Sequence, residues 1–211
     1  MTNEEIVNII NHTKIIAIIR GIPKESLLPA VEALVSGGIR AVEITLNRSD
    51  AVDGIREIAA KLGEHITVGA GTVLTTEQVE AVADAGGRYI ISPNTNVEVI
   101  RRTKELELIS IPGALTPTEI VTAWTAGADY VKLFPAGNLG VGYLKALLSP
   151  LPDIPFLVVG GVGLDNIKDF LNAGACGAGI GGKLVDKQLI QSGRFDEITR
   201  IAAEYVLRIK S

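Results

Sequence analysis

The sequence predicts an α/β protein of the (β/α)8 barrel class, with an extra helix at its N-terminus. Three observations carry that prediction. Eight short aliphatic runs alternate with helix-period segments of about a dozen residues, as in a closed parallel sheet. The helical segments stop at Gly37-Gly38, Gly63, Gly86-Gly87, Gly127 and Gly174, where a residue past a helix end takes positive φ. The 211 residues are 47% hydrophobic, 4% aromatic and include 23 glycines, which suits an aliphatic core and the many turns of one barrel domain over 1–211. A doubly wound open sheet is the alternative. Eight regular units, and no GxGxxG turn after the first run, count against it.

An amphipathic helix, Glu4–Asn11, opens the chain. The first run, Ile15–Arg20, places Ile16, Ile18 and Arg20 on one face, because strand side chains alternate. A helix over Ser26–Ser36 follows. The second run, Ala41–Leu46, puts Val42, Ile44 and Leu46 on one face and Glu43, Thr45 and Asn47 on the other. Helices cover the outside of a barrel, so the apolar set must face them and Glu43 must point inward. An unpaired buried carboxylate is costly, which argues for a role beyond structure.

After the helix Ala51–Leu62, the third run, Thr67–Val73, has glycines at 69 and 71 that permit close approach, and Thr72 offers a hydroxyl. Helix Thr76–Ala85, run Tyr89–Pro93, helix Asn96–Glu107, run Leu108–Gly113 and helix Pro117–Ala126 continue the pattern. Capping residues stand at Glu25-Ser26, Asp50, Thr75-Thr76, Asn96 and Asp165.

The sixth run, Tyr130–Pro135, carries one lysine in an apolar stretch, with Tyr130, Lys132 and Phe134 on one face. Such a lysine cannot easily reach bulk water. Desolvation lowers its pKa and makes a free amine available as a nucleophile toward a carbonyl. A strand-end lysine reaching solvent, or one fixed by a core carboxylate, is the plainer alternative. Helix Gly142–Leu148, run Phe156–Val162, helix Leu164–Ala173, run Gly177–Gly182 and helix Phe195–Lys210 complete the chain. Gly160-Gly161 and Gly181-Gly182 follow the last two runs, where this fold binds phosphate through bare N–H groups. Lys183 could add a charge.

The net charge of −4 lacks the basic patch of a nucleic-acid binder. The apolar runs end well short of the roughly 18 residues of a membrane span, and Met1-Thr2-Asn3-Glu4-Glu5 is unlike a signal peptide, so a cytoplasmic protein is expected. The one cysteine, Cys176, reads as a small buried filler, and the two histidines, His12 and His65, are not at strand ends. Neither a metal nor a cofactor is expected. Trp124 reads as interface or core packing.

Together these groups fit carbonyl chemistry through an imine. Lys132 would attack the ketone of an α-keto acid, Glu43 would move protons, and Arg20 and Thr72 would hold anionic oxygens. A sugar-phosphate epimerase or isomerase would need a second inward acid/base group or a histidine-held metal. A non-catalytic sugar-phosphate sensor would need no buried Glu–Lys pair.

Val42-Glu43-Ile44-Thr45-Leu46, Gly69-Ala70-Gly71-Thr72-Val73, Ile91-Ser92-Pro93, Pro112-Gly113 with Thr116-Pro117-Thr118-Glu119, Lys132-Leu133-Phe134-Pro135-Ala136 and Gly160-Gly161-Val162 occur in this order along nearly the whole chain. The set resembles the class I aldolases of 2-keto-3-deoxy-6-phosphogluconate and 2-keto-4-hydroxyglutarate. The resemblance implies a homotrimeric barrel that cleaves these keto acids to pyruvate plus glyceraldehyde 3-phosphate or glyoxylate. It implies Lys132 as the Schiff-base lysine and Glu43 as the proton-transfer residue, with Thr72 and Arg20 on the substrate. Pro93 and Phe134 would line the pocket, and Gly160, Gly161 and Gly182 would approach the phosphate.

Asn47 stands where many members of that family carry an arginine for the pyruvate carboxylate, so either Arg20 takes that task here or Asn47 keeps it. Val159 replaces a frequent threonine and Lys183 a frequent serine. Leu46-Asn47 and Ser92-Pro93-Asn94 are similar to the related aldolase of the 2-keto-3-deoxy-6-phosphogalactonate epimer, which is the alternative substrate.

Overall fold

The aliphatic runs become strands, all parallel to their neighbours: β1 (Ile15–Ile19), β2 (Ala41–Thr45), β3 (Thr67–Gly71), β4 (Tyr89–Ile91), β5 (Ile109–Ile111), β6 (Gly113–Ala114), β7 (Val131–Leu133), β8 (Phe156–Val159) and β9 (Gly177–Ile180). The computed structural model describes residues 1–210. Its sheet runs β5-β4-β3-β2-β1-β9-β8-β7-β6. The two ends of that order are one stretch of chain, interrupted at Pro112. Its first half pairs with β4 and its second with β7, so the predicted eight-stranded barrel closes through this stretch. Proline has no N–H for the ladder, which breaks there. Its carbonyl still accepts from the Lys132 backbone N–H at 2.8 Å.

Strand parity separates two cores. Val42, Ile44, Val131, Leu133 and Val158 belong to the layer between barrel and helices, together with Val31, Ile55 and Ile120 from the helices. Ile16, Tyr89, Ile91, Ile109, Ile111 and Leu157 form the separate filling inside the barrel. The expected N-terminal helix, α1 (Asn3–Thr13), belongs to the inner core through Ile6 and Ile10, both fully buried. The hydroxyl of Tyr130, just ahead of β7, donates to Asn11 Oδ1 at 2.8 Å. α1 thus lies across the N-terminal mouth and plugs it.

The outer helices are α2 (Lys24–Ser36), α3 (Ala51–Leu62), α4 (Thr76–Asp84), α5 (Val97–Glu105), α6 (Pro117–Thr125), α7 (Ala136–Leu148), α8 (Ile167–Asn172), α9 (Lys187–Gln191) and α10 (Phe195–Lys210). Thr2, Thr75 and Thr116 head α1, α4 and α6 with reciprocal capping boxes, and Asn96 caps α5 as predicted. Three expected caps do other work. Ser26 lies within α2; Asp50 heads α3 but pairs with Arg48 at 2.8 Å; Asp165 pairs with Lys183 at 3.1 Å while Asn166 precedes α8. α7 begins at Ala136 rather than Gly142 and bends at Gly140, where φ is 74°. Trp124 is not core packing: it is 38% exposed on α6. None of the described helices is long and apolar enough to cross a membrane.

Ile10 plugs the barrel away from its C-terminal mouth. Ile10→Ala should therefore cost about 2–5 kcal/mol of stability, the range for deleting a buried isoleucine. Urea unfolding measures that loss, and turnover per folded molecule should be unchanged.

Candidate active site

β2 and β7 each deliver one ionisable side chain into the barrel. Glu43 is 1% exposed and Lys132 4%, and both lie on the face opposite the apolar residues that meet the helices. The Lys132 Nζ sits 4.9 Å from the centroid of the Phe134 ring, so the two share a face as parity requires. Glu43 Oε2 is buried with no hydrogen-bond partner. The other oxygen lies over Gly71, where an added Cβ would stand 1.6 Å from Oε1. Gly71 is bare because the carboxyl occupies the place of its side chain.

Each group is pushed toward its neutral form. Burial raises the Glu43 carboxyl above the usual carboxylate range, while Lys132 and then Arg20 pull it back. Burial lowers the Lys132 amine; Glu43 opposes that and Arg20 adds to it. The result is a dry amine facing a dry carboxyl, with a guanidinium near enough to act on both.

Arg20 follows β1 and lines a cavity of about 370 Å³. Phe134, Gly160, Gly161, Gly181, Gly182 and Lys183 share its wall with apolar Ile18, Val159, Val162 and Val185. Arg20 and Phe134 thus link the cavity to the buried pair. Gly160 and Gly161 have φ of 85° and 74°, and the α7 N-terminus packs on them: the Gly137 N–H donates to the Gly160 carbonyl at 2.7 Å. A Cβ on Gly181 or Gly182 would meet nothing within 4 Å.

The remaining expected site residues stand outside that wall. The Thr45 hydroxyl, buried, donates to Asn47 Oδ1 at 2.6 Å, with the Ile19 carbonyl at 3.3 Å. Thr72 is half-buried with φ of 59°, a left-handed conformation that costs a β-branched residue about 1–3 kcal/mol and that collects at working sites. Pro93 is exposed, and its backbone would lie 2.5 Å from a Cβ at Gly113. Cys176 is half-buried beside the inner core.

Lys187, at the start of α9, also lines the cavity and was not singled out by the sequence reading. Its Nζ lies 3.0 Å from where a Cβ of Gly21 would stand, next to Arg20. Among the described residues it makes no hydrogen bond or ion pair. The signal was Asp186, which accepts from the N–H groups of Gln188 and Leu189 and so marks a helix start.

A parallel barrel with an amine and a carboxyl held dry inside it, beside a glycine-walled cavity with cations at its rim, is the framework of an enzyme for carbonyl chemistry on anionic substrates. The chain matches the KDPG and KHG aldolase family over residues 6–201, and it belongs to that family. It is 40% identical to the 2-dehydro-3-deoxy-6-phosphogalactonate aldolase of Escherichia coli over 197 residues, covering 90% of this chain and 96% of that one. It is 35% identical to the 2-dehydro-3-deoxy-phosphogluconate aldolase of Haemophilus influenzae over 213 residues, 99% of both chains. Among solved structures, the KDPG aldolase of Legionella pneumophila, with pyruvate captured at low pH as a covalent carbinolamine, superposes with a TM-score of 0.87 at 28% identity. The match covers 93% of this chain and 96% of that one. The chain is therefore an aldolase.

The burial of Glu43 and Lys132 has a sign in stability. A carboxyl raised on folding weakens the fold above its ordinary pKa, and an amine lowered on folding weakens it below its ordinary pKa. Both penalties act at neutral pH. The double variant Glu43→Met, Lys132→Met should be inactive yet about 1–4 kcal/mol more stable at pH 7. Urea melts across pH should show the carboxyl's share vanishing in acid and the amine's share vanishing in strong alkali.

Proposed function

We propose that this aldolase cleaves 2-keto-3-deoxy-6-phosphogluconate to pyruvate and glyceraldehyde 3-phosphate through a Schiff base on Lys132, and 2-keto-4-hydroxyglutarate to pyruvate and glyoxylate. The observation that carries the reading is the desolvated Lys132 amine opposed by the buried Glu43 carboxyl, in a chain of this family. The Legionella relative, holding pyruvate as a carbinolamine, supports it.

The Lys132 amine adds to the C2 ketone, and the carbinolamine loses water to give an iminium. Having given its proton to the departing hydroxyl of the carbinolamine, Glu43 takes the proton of the C4 hydroxyl, the C3–C4 bond breaks, and the electron pair of that bond flows into the iminium to leave an enamine. The aldehyde departs. Protonation of the enamine at C3 and hydrolysis return pyruvate and the free amine.

Arg20, Thr72, Thr45 and Asn47 serve the pyruvate carboxylate, and Pro93 and Phe134 line the reacting end. Gly160, Gly161, Gly181, Gly182, Lys183 and Lys187 receive the phosphate. The Trp124 and Val121 side chains, 38% and 41% exposed on α6, suit a face buried in a homotrimer. The enzyme works in the cytoplasm without a cofactor.

The phosphogalactonate epimer is the second reading, favoured by the Escherichia coli relative. Both epimers give the same products, because C4 becomes the aldehyde carbon and loses its configuration.

Borohydride added with pyruvate should label the protein covalently on Lys132, as located by peptide mass, and abolish turnover. An unlabelled protein, with Lys132→Ala still active, overturns the reading. Lys187→Met should raise KM about tenfold for the phosphorylated keto acids, the effect of roughly 1.4 kcal/mol, and leave KM for 2-keto-4-hydroxyglutarate unchanged. Steady-state kinetics on the gluconate, galactonate and hydroxyglutarate keto acids measure both that split and the epimer preference.

A further inference from the structure

A buried aromatic ring with no part in the proposed chemistry lies beside Glu43. β2, β3 and β4 lie side by side, with Glu43 level with Gly69 and Ala70 level with Ile90. Glu43, Gly69 and Tyr89 therefore form one rung across three strands, all facing the barrel interior. A Cβ on Gly69 would stand 2.1 Å from the Tyr89 ring, so the ring occupies the space the glycine leaves. The ring is fully buried, and its hydroxyl donates to the carbonyl of Val42, the residue before Glu43. One inward position further along β3 is Gly71, whose space holds the Glu43 carboxyl. The two bare positions of the middle strand are thus filled from opposite sides, the first by Tyr89 from β4 and the second by Glu43 from β2.

We infer that Tyr89 is a positioning residue whose ring fills the berth over Gly69, turns the Glu43 carboxyl up over Gly71 toward the C-terminal mouth, and keeps water from reaching it from below. The inference rests on the proton-transfer role proposed for Glu43. A glutamate on this rung has two bare glycines beside it, and only one is left open. The titratable and charged groups that act with the carboxyl are Lys132 from β7, Arg20 after β1 and Tyr89 from β4. Burial, and then the charge of Glu43, hold the Tyr89 phenol well above its usual range, so it does not titrate with the site. Tyr89 works by shape and by excluding water.

Tyr89→Phe keeps the ring and should hold kcat within about threefold of the unsubstituted protein, whereas Tyr89→Leu should lower it about a hundredfold, the scale of a reacting group misplaced by about 1 Å. In Tyr89→Leu, KM should change little, and the limb of the pH profile governed by Glu43 should move to lower pH as water reaches the carboxyl. Carbon-13 NMR of the glutamate carboxyls in the unliganded protein, with Glu43→Gln for assignment, reads the same shift without turnover. If Tyr89→Leu does not fold, Gly69→Ala, which drives the ring from its berth, should give the same fall and the same shift. Three results overturn the inference: a folded Tyr89→Leu or Gly69→Ala with kcat within about threefold of the unsubstituted protein, a fall in kcat with the Glu43 titration unmoved, or a Tyr89→Phe as impaired as Tyr89→Leu. Failure of the Schiff-base reading shows elsewhere, in an unsubstituted protein that borohydride and pyruvate do not label. The NMR titration would still judge Tyr89.

Discussion

Exclusion of water from one carboxyl and one amine is the constraint on which this structure turns. Glu43 and Lys132 are each pushed toward neutrality by burial, and neither could be held there by a surface site, where hydration restores the charged form. The barrel supplies the dryness from three directions. Its strands turn every second side chain into a sealed interior, α1 stops the N-terminal mouth with Ile6 and Ile10, and the ring of helices removes the outer strand faces from solvent. The chemistry and the fold therefore share one requirement. What the aliphatic layers gain from leaving water offsets the penalty of carrying two desolvated polar groups at the centre.

That requirement explains which parts of the protein were legible in the sequence. Alternation across a strand is a local property, so Glu43 and Lys132 could be turned inward from the apolar neighbours Val42, Ile44, Val131 and Leu133 alone. Helix ends were legible where glycine or a reciprocal threonine cap marks them. What escaped depends on neighbours distant in sequence. Asp165 looks like a cap, and the ion pair that engages it instead comes from Lys183, 18 residues further on. The start of α7 was hidden by its glycines, which disfavour helix in isolation but allow the close packing of Gly137 on Gly161. Gly69 and Gly71 read as sites of backbone approach. Side chains approach there, from β4 and from β2, and knowing which requires the register of three strands at once.

The cavity joins two environments that obey different rules. Near Phe134 and Arg20 it borders the dry pair, where a change of neighbour or the entry of one water alters protonation strongly. At the rim, Lys183 and Lys187 are exposed, Lys183 already engaged with Asp165, and there each charge is weakened by solvent and salt. A ligand spanning both must bring a carbonyl to one end and an anion to the other. That division matches the proposed keto-acid phosphates, with bond making at the inner end and selection by charge at the outer.

Between those ends the wall is Ile18, Val159, Val162 and Val185, with only backbone groups between the cations to offer hydrogen bonds. An apolar wall separates ligands by shape alone. Misplacing a hydroxyl against methyl groups is worth far less than leaving a buried hydrogen-bonding partner unmatched, commonly no more than about a hundredfold. In the proposed reaction both epimers must present the C4 hydroxyl to Glu43, so they differ in how the C5 and C6 end lies along this stretch. With valine at 159 in place of a hydroxyl-bearing side chain, the protein has given up one means of reading their configuration. The proposed grip on the two C4 epimers should therefore differ modestly, while the pyruvate end, where Glu43, Lys132 and Arg20 are proposed to act, stays strict.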